Sequence, residues 1–289
     1  MNCNAAKIWN RASVAGRRAF TLIELLVVMA IIGVLAAIGL PAISGMGGSN
    51  DVGAAVRQLM DDLSYARLKA INERTTVYVV FVSDTIVNQP WSGTERTEVA
   101  QHANLQFTSY ALFTKRGLGD QPGFERPRFI TDWRTLPQGT FIPTNKFDIN
   151  LAFHPRRTNE TTLFNRPFYF GDSSSVGKKY LLPFPNATNN RIPMAFIAFD
   201  FQGRLKQPPN VSAMRDVVVP IAKGSIVYAQ DASGAPLLQV PEVIETPKGN
   251  ATNNPAIRID WLTGRARVVR VKMPNEDVSG LGYMDLLEM

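Results

Sequence analysis

The chain has 289 residues, 45% hydrophobic and 19% charged, which is enough to bury a core and too apolar for bulk disorder. Its formal charge of +7 is not a polyanion-binding composition: Lys7, Arg11, Arg17 and Arg18 precede the first long apolar run and no acid does, and without these four the balance is 27 basic against 24 acidic residues, or +3. A disulfide-built scaffold is also excluded, because Cys3 is the one cysteine; with no apolar segment before it, a lipoprotein cleavage site is not expected there.

The first predicted element is the run from Phe20 to Leu40, 21 residues. As a helix it reaches roughly 31 Å, close to a hydrocarbon core of about 30 Å. Basic residues stand on its N-terminal side, and after Glu24 the next charge is Asp51. The positive-inside rule then puts the N-terminus in the cytoplasm and the bulk of the chain outside it. A secretory signal has a shorter apolar region of about 7–15 residues, and a twin-arginine signal, invited by Arg17-Arg18, has a milder one. A plain signal anchor fits the length but gives no reason for Glu24. A carboxylate in a spanning helix costs on the order of 2.5–3.5 kcal/mol at mid-depth and less near an end. No basic residue stands one turn from Glu24 in the sequence, so the expected counter-charge comes from another chain or from a terminus made by processing.

Arg17-Arg18-Ala19 followed by Phe20-Thr21-Leu22-Ile23-Glu24-Leu25 resembles the prepilin N-terminal motif of type IV pilins and type II secretion pseudopilins. The resemblance implies a leader over 1–19 whose charge is Arg17 and Arg18, and a membrane prepilin peptidase that cuts between Ala19 and Phe20 and N-methylates Phe20. It further implies a transmembrane helix over 20–41 and pairing of Glu24 with the freed amine of a neighbouring subunit in a filament. Pro41 stands where many pilins have proline; Ala19 replaces the glycine usual before the cut. The bland reading of Glu24 is a side chain that snorkels to headgroup level.

Residues 42–74 follow as a hinge and an amphipathic helix. The glycine-rich Ser44–Ser49 predicts a helix interrupted or softened there. Val52, Val56, Leu59, Leu63, Ala66 and Ala70 then recur at helical spacing as far as Arg74, with Arg57, Gln58, Asp61, Asp62 and Lys69 largely off the stripe. Core packing against a sheet is the simplest use of that stripe. From Thr75 to Met289 the period changes to that of a β-rich head. Strands are predicted at 75–83, 105–113, 139–143, 194–201, 216–222 and 225–230, followed by a hairpin turning at Thr263-Gly264. Polar stretches at 84–104, 114–135 and 155–192 read as surface loops or a small inserted hairpin. The expected fold class is α+β and pilin-like, a long N-terminal helix packed on an antiparallel sheet.

Within the head, Ala66-Arg67 with Ala70, Leu136-Pro137 with Gly139, Phe199 with Gly203, and Gly264-Arg265 follow the order seen in H-type minor pseudopilins of type II secretion and FimT-like proteins. This second, softer resemblance implies a minor subunit of such a filament. Its partners would be prepilin peptidase, other pilin or pseudopilin subunits, inner-membrane lipid and secreted cargo. FimT-like subunits are also associated with DNA uptake, and Gly264-Arg265-Ala266-Arg267 puts Arg265 and Arg267 on one strand face, where they could hold a phosphate backbone. The alternative is a solvated hairpin edge.

Catalysis has little support. His102 and His154 lie in polar stretches with no acid or nucleophile at a recognisable spacing, and Asp231-Ala232-Ser233-Gly234 is too sparse for a calcium loop and reads as a turn. Asn-x-Ser/Thr sites at Asn159, Asn186, Asn210 and Asn250 are what polar loops produce by chance. The expectation is a non-enzymatic subunit without metal or cofactor, stored in the bacterial inner membrane with its head in the periplasm and then added to a filament. A membrane-anchored adhesin or enzyme is the remaining alternative.

Overall fold

The computed structural model describes residues 22–121, 123–148, 167–171, 180–189, 191–207, 215–272 and 285–288, and for 34–50, 271, 272 and 285–288 the backbone alone. The chain divides into two compact units, Met1–Gly47 and Gly48–Met289. The architecture mixes helix with antiparallel sheets.

Helix α1 runs Leu22–Asn72. Of the interruption or softening expected at Ser44–Ser49, a break does not occur: the backbone is helical across it. Glycine lowers helix stability by about 1 kcal/mol relative to alanine, yet it leaves helical dihedrals and the amide donor available. The expected span over 20–41 meets a second difference. Among the described residues no helix is long and apolar enough to cross a membrane. Phe20 and Thr21 lie outside the described residues, and the apolar side chains that are described, in 22–33, cover roughly 18 Å of helix, short of the ~30 Å a bilayer core requires.

In the second unit, α1 ends in a Schellman closure. Thr75 N–H donates to Ala70 O at 3.1 Å and Arg74 N–H to Ile71 O at 3.3 Å, with Arg74 in the left-handed region at φ 51°. The predicted stripe is the buried face: Val52, Val56, Leu59, Leu63, Ala66 and Ala70 are each no more than 5% exposed. Each fully buried leucine contributes about 1.5–3 kcal/mol.

The strands are β1 (Val77–Phe81), β2 (Ser109–Thr114), β3 (Arg128–Phe129), β4 (Arg134–Thr135), β5 (Thr140–Phe141), β6 (Tyr169–Phe170), β7 (Leu182–Pro183), β8 (Arg191–Ile192), β9 (Ala195–Phe199), β10 (Val217–Pro220), β11 (Ala222–Val227), β12 (Glu242–Glu245), β13 (Pro255–Ile259), β14 (Ala266–Lys272) and β15 (Asp285–Glu288). The main sheet has the order β3-β2-β1-β9-β6, with β4 also paired to β2. Two smaller sheets, β10-β13-β14-β15 and β12-β11-β5, and the pair β7-β8 complete the head.

Strand β1 explains why its sequence is apolar without alternation. Side chains alternate between faces, and Val77, Val79 and Phe81 join the α1 stripe while Tyr78 and Val80 join a second cluster on the opposite face. Strand β9 divides likewise, Ala195, Ile197 and Phe199 against Phe196 and Ala198. A strand buried on both faces reads as a continuous apolar run. The head is thus more than a helix on a sheet, because a further layer covers the second face. That layer draws Trp91, Val99, Leu182, Phe184 and Ile192 from stretches the sequence reads as loops. Residues 84–104 hold a 3-10 turn at Asp84–Ile86 and helix α2 (Gly93–Gln101). Val99 is the one buried residue of α2, too little for a helical period to show in the sequence. The pair β7-β8 provides the inserted hairpin anticipated within 155–192; residues 155–166, 172–179 and 190 lie outside the described residues.

Candidate functional site

Within the first unit, every described side chain of residues 22–33 is exposed, including Leu22, Ile23, Leu25, Leu26, Met29, Ile31 and Ile32. A helix apolar around its circumference belongs in lipid or among other helices, since water contact leaves each such side chain unburied. Glu24 lies near the start of the described part of α1. Arg17, Arg18, Ala19 and Phe20 are outside the described residues, and Pro41 is described by its helical backbone alone.

In the second unit, three pieces of the softer resemblance meet at one point. Arg67, on α1, donates from Nε to Gly203 O at 3.2 Å and to Thr263 O at 2.7 Å. Gly203 and Gly264 have φ of +77° and +64°. A Cβ on Gly264 would stand 1.9 Å from Gly203 O and 3.3 Å from Arg67 Cδ. Only glycine gives both the left-handed backbone and the close approach. The β13-β14 turn is closed from within: Asp260 carboxylate accepts from Thr263 N–H at 2.6 Å and Thr263 hydroxyl at 2.8 Å, which holds its pKa below the usual carboxylate range. Gly139, by contrast, lies beside β11, accepting from Gly224 N–H at 3.0 Å.

Arg265 and Arg267 project from this hairpin and both are exposed. They share a face by parity, and that face continues into Val269, which is buried. Ala266 and Val268, on the other parity, pack against the main core. Arg267 stands opposite Arg258 across the ladder, and Arg258 is held by Asp216 at 2.7 Å from Nε. The two arginines therefore stand at the turn end of the hairpin, while Ala266, Val268 and Val269 pack inward.

The sequence did not reveal a buried polar network at the α1 seam. Asp62, read as lying off the core stripe, is 5% exposed. It accepts from Tyr110 hydroxyl at 2.6 Å and from Arg134. Gln58 donates to Tyr110 Oη at 3.2 Å and to Thr135 O at 3.1 Å. Burial, reinforced by Asp62, pushes the Tyr110 phenol up, and the Asp62 hydrogen bond raises Arg134. A depression of about 600 Å³ opens beside it, lined by Asp61, Tyr65, Phe129 and Asp132 among others. The signal available in the sequence was the doubled acid Asp61-Asp62 beside a helical stripe, with Asp62 next to Leu63.

The histidine and calcium-loop candidates resolve locally. His102 Nδ1 is 2.8 Å from Glu98 O and its ring meets Phe184 edge-on; His154 is outside the described residues. Asp231 accepts from Ser233 N–H and hydroxyl and from Ala235 N–H, and these bonds hold its pKa low. That is turn geometry. Among the described residues, no group of three or more His, Cys, Asp or Glu is placed to hold a metal.

Residues 15–40 match the prokaryotic N-terminal methylation motif, which is type IV prepilin-like. The match spans the apolar segment that begins α1 and includes Arg17 through Pro41's neighbour Leu40. The motif implies processing by prepilin peptidase, anchoring in a membrane and assembly with other pilin subunits. No curated protein and no solved structure matches the chain.

Proposed function

We propose that the chain is a minor pilin or pseudopilin, a structural, non-enzymatic subunit of a type II secretion pseudopilus or a related type IV filament. The observation that carries this reading is the methylation motif at 15–40, joined to a helix whose described N-terminal side chains are apolar and exposed. Cleavage between Ala19 and Phe20 frees an amine that is cationic at neutral pH. In a low-dielectric filament core, Glu24 of one subunit and that amine of the next attract strongly, while either charge left alone is penalised. The pair sets axial register as subunits leave the bilayer. Four basic residues before the apolar run orient the stored subunit with its N-terminus in the cytoplasm and its head in the periplasm. The meeting of Arg67, Gly203 and Gly264 supports the H-type, FimT-like assignment, because three separate pieces of that resemblance serve one junction. In this role the head aids filament assembly and contacts secreted cargo.

Glu24→Leu and Glu24→Ala test the reading. Both variants are expected at wild-type level in the membrane fraction and strongly depleted from sheared or cross-linked filaments. Undiminished incorporation would remove the role of Glu24.

A second reading, a DNA-binding subunit for uptake, is favoured by the exposure of Arg265 and Arg267 at the end of the hairpin. Phosphate contacts of this kind weaken steeply as salt rises. Gel shifts of the full chain in neutral detergent should then appear at low salt and be lost in Arg265→Ala/Arg267→Ala. Absence of a shift at low salt removes this reading.

A further inference from the structure

Two complementary features of the head lie on opposite flanks of α1. The α1 stripe packs on β1, whose neighbours in the sheet are β2 on one side and β9 on the other. Toward β2, Gln58 and Asp62 bond Tyr110, and Gln58 also bonds Thr135 of β4. Toward β9, Arg67 holds the turns at Gly203 and Thr263. Residues 62 and 67 stand about 140° apart around a helix, one on each side of the buried stripe.

The β2 flank carries the depression. Three carboxylates line it, Asp61, Asp62 and Asp132, against one guanidinium, Arg134. Arg134 is paired with Asp62, whereas Asp61 and Asp132 are exposed and make no ion pair among the described residues. Beyond the rim, Lys69 and Arg128 are drawn to Glu73. The two carboxylates in excess come from different walls, Asp61 from α1 and Asp132 from the β3-β4 connection, and the same depression is lined by the rings of Tyr65, 44% exposed, and Phe129. A planar guanidinium forks onto carboxylates and stacks on aromatic rings, which a strongly hydrated ammonium does less well.

The β9 flank carries such a group. Arg265 leaves the β13-β14 turn on the opposite parity to Ala266 and Val268, which pack on the main core; it is exposed and makes no ion pair among the described residues. Leu262 in the same turn is 52% exposed, so the tip has an apolar group beside its cation, as the depression has rings beside its acids. Separated by α1, the tip and the depression of one head do not meet each other. We propose that the hairpin tip of one copy docks in the depression of a second copy, with Arg265 between Asp61 and Asp132. Patches on opposite flanks make a heterologous contact, which repeats head to tail instead of closing a two-fold dimer. Docking covers Arg265, so this contact and a phosphate backbone compete for one side chain. The contact stands on the head's own residues and is separate from the role of Glu24.

Sedimentation velocity of the full chain in neutral detergent tests it. The wild type is expected to form species larger than two copies as concentration rises, and to fall back toward single copies at high salt, which screens exposed pairs. Arg265→Glu alone and Asp61→Lys/Asp132→Lys alone should each abolish the association, because each sets like charges against one another. An equal mixture of these two variants should restore it, since the reversed tip then meets the reversed depression and the native tip the native depression. Arg265→Lys, which keeps the charge and loses the planar fork, should weaken association several-fold. All three positions are exposed, so the variants keep the fold, and the exposed control Lys248→Ala should match wild type. Glu24→Leu should still associate, which separates this contact from the register pair. Association that survives either charge reversal, a mixture that stays dissociated, or a wild type that is a single copy at every concentration overturns the proposal.

Discussion

Tyr110 donates to one oxygen of Asp62 while Arg134 closes on the other, at the seam between α1 and the sheet. Removing the phenol hydroxyl leaves a buried acceptor with one partner fewer. Tyr110→Phe should therefore destabilise the head by about 1–2 kcal/mol, read as a fall in the urea midpoint with unchanged slope. Lys115 makes the opposite prediction with pH. Its folded pKa of about 8 lies below the ordinary 10.5, so between these values the unfolded chain holds a proton that the folded chain has released. Stability then rises as pH climbs from about 8 to 10.5, and below about 8 the folded state carries the full penalty of the buried charge. Lys115→Met should be more stable than wild type at pH 7 and should lack that rise in a series of denaturation curves. A lysine pair that stabilised the fold would give the reverse slope. Neither contact could be read from the sequence, since Asp62 meets Tyr110, 48 positions away, and the charges that bear on Lys115 include Lys206, 91 positions away.

The elements divide by how much of their packing is local. The α1 stripe from Val52 to Ala70 was legible because six positions repeat one period, and β1 and β9 because each is a compact run of β-branched and aromatic residues. Helix α2 was not, because it is anchored by Val99 alone, and β12 was not, because Glu242 and Glu245 bracket a short edge strand. The helix end predicted near Arg74 falls at Asn72, two residues earlier, because the closure needs a left-handed residue and arginine supplies it. Arg74 is exposed, so Arg74→Gly should relieve the left-handed cost and raise stability by roughly 0.5–1 kcal/mol. Gly264→Ala acts in the other direction. It adds a side chain at positive φ and drives Cβ into Gly203 O, with an expected loss of at least about 2 kcal/mol and loss of amide protection in the β13-β14 turn. If Gly264→Ala folds with unchanged protection there, the junction of Arg67, Gly203 and Gly264 does not hold the hairpin to α1.

At the scale of the whole chain, two unlike parts share one sequence. Residues 48–289 bury a core of their own around the α1 stripe and both faces of β1. Residues 22–33 present apolar side chains to their surroundings, which makes sense in a subunit that passes from lipid into a bundle of like helices. The N-terminal signal was legible because it is contiguous: basic residues, a small residue, Phe20, and Glu24 within an aliphatic run, as the motif match over 15–40 supports. The head's partners are not written in any such contiguous pattern. The most direct measurement is intact-mass and N-terminal mass spectrometry of the chain recovered from membranes of cells with an active prepilin peptidase. A polypeptide beginning at an N-methylated Phe20 is the predicted result; recovery of the chain with residues 1–19 still attached would contradict it.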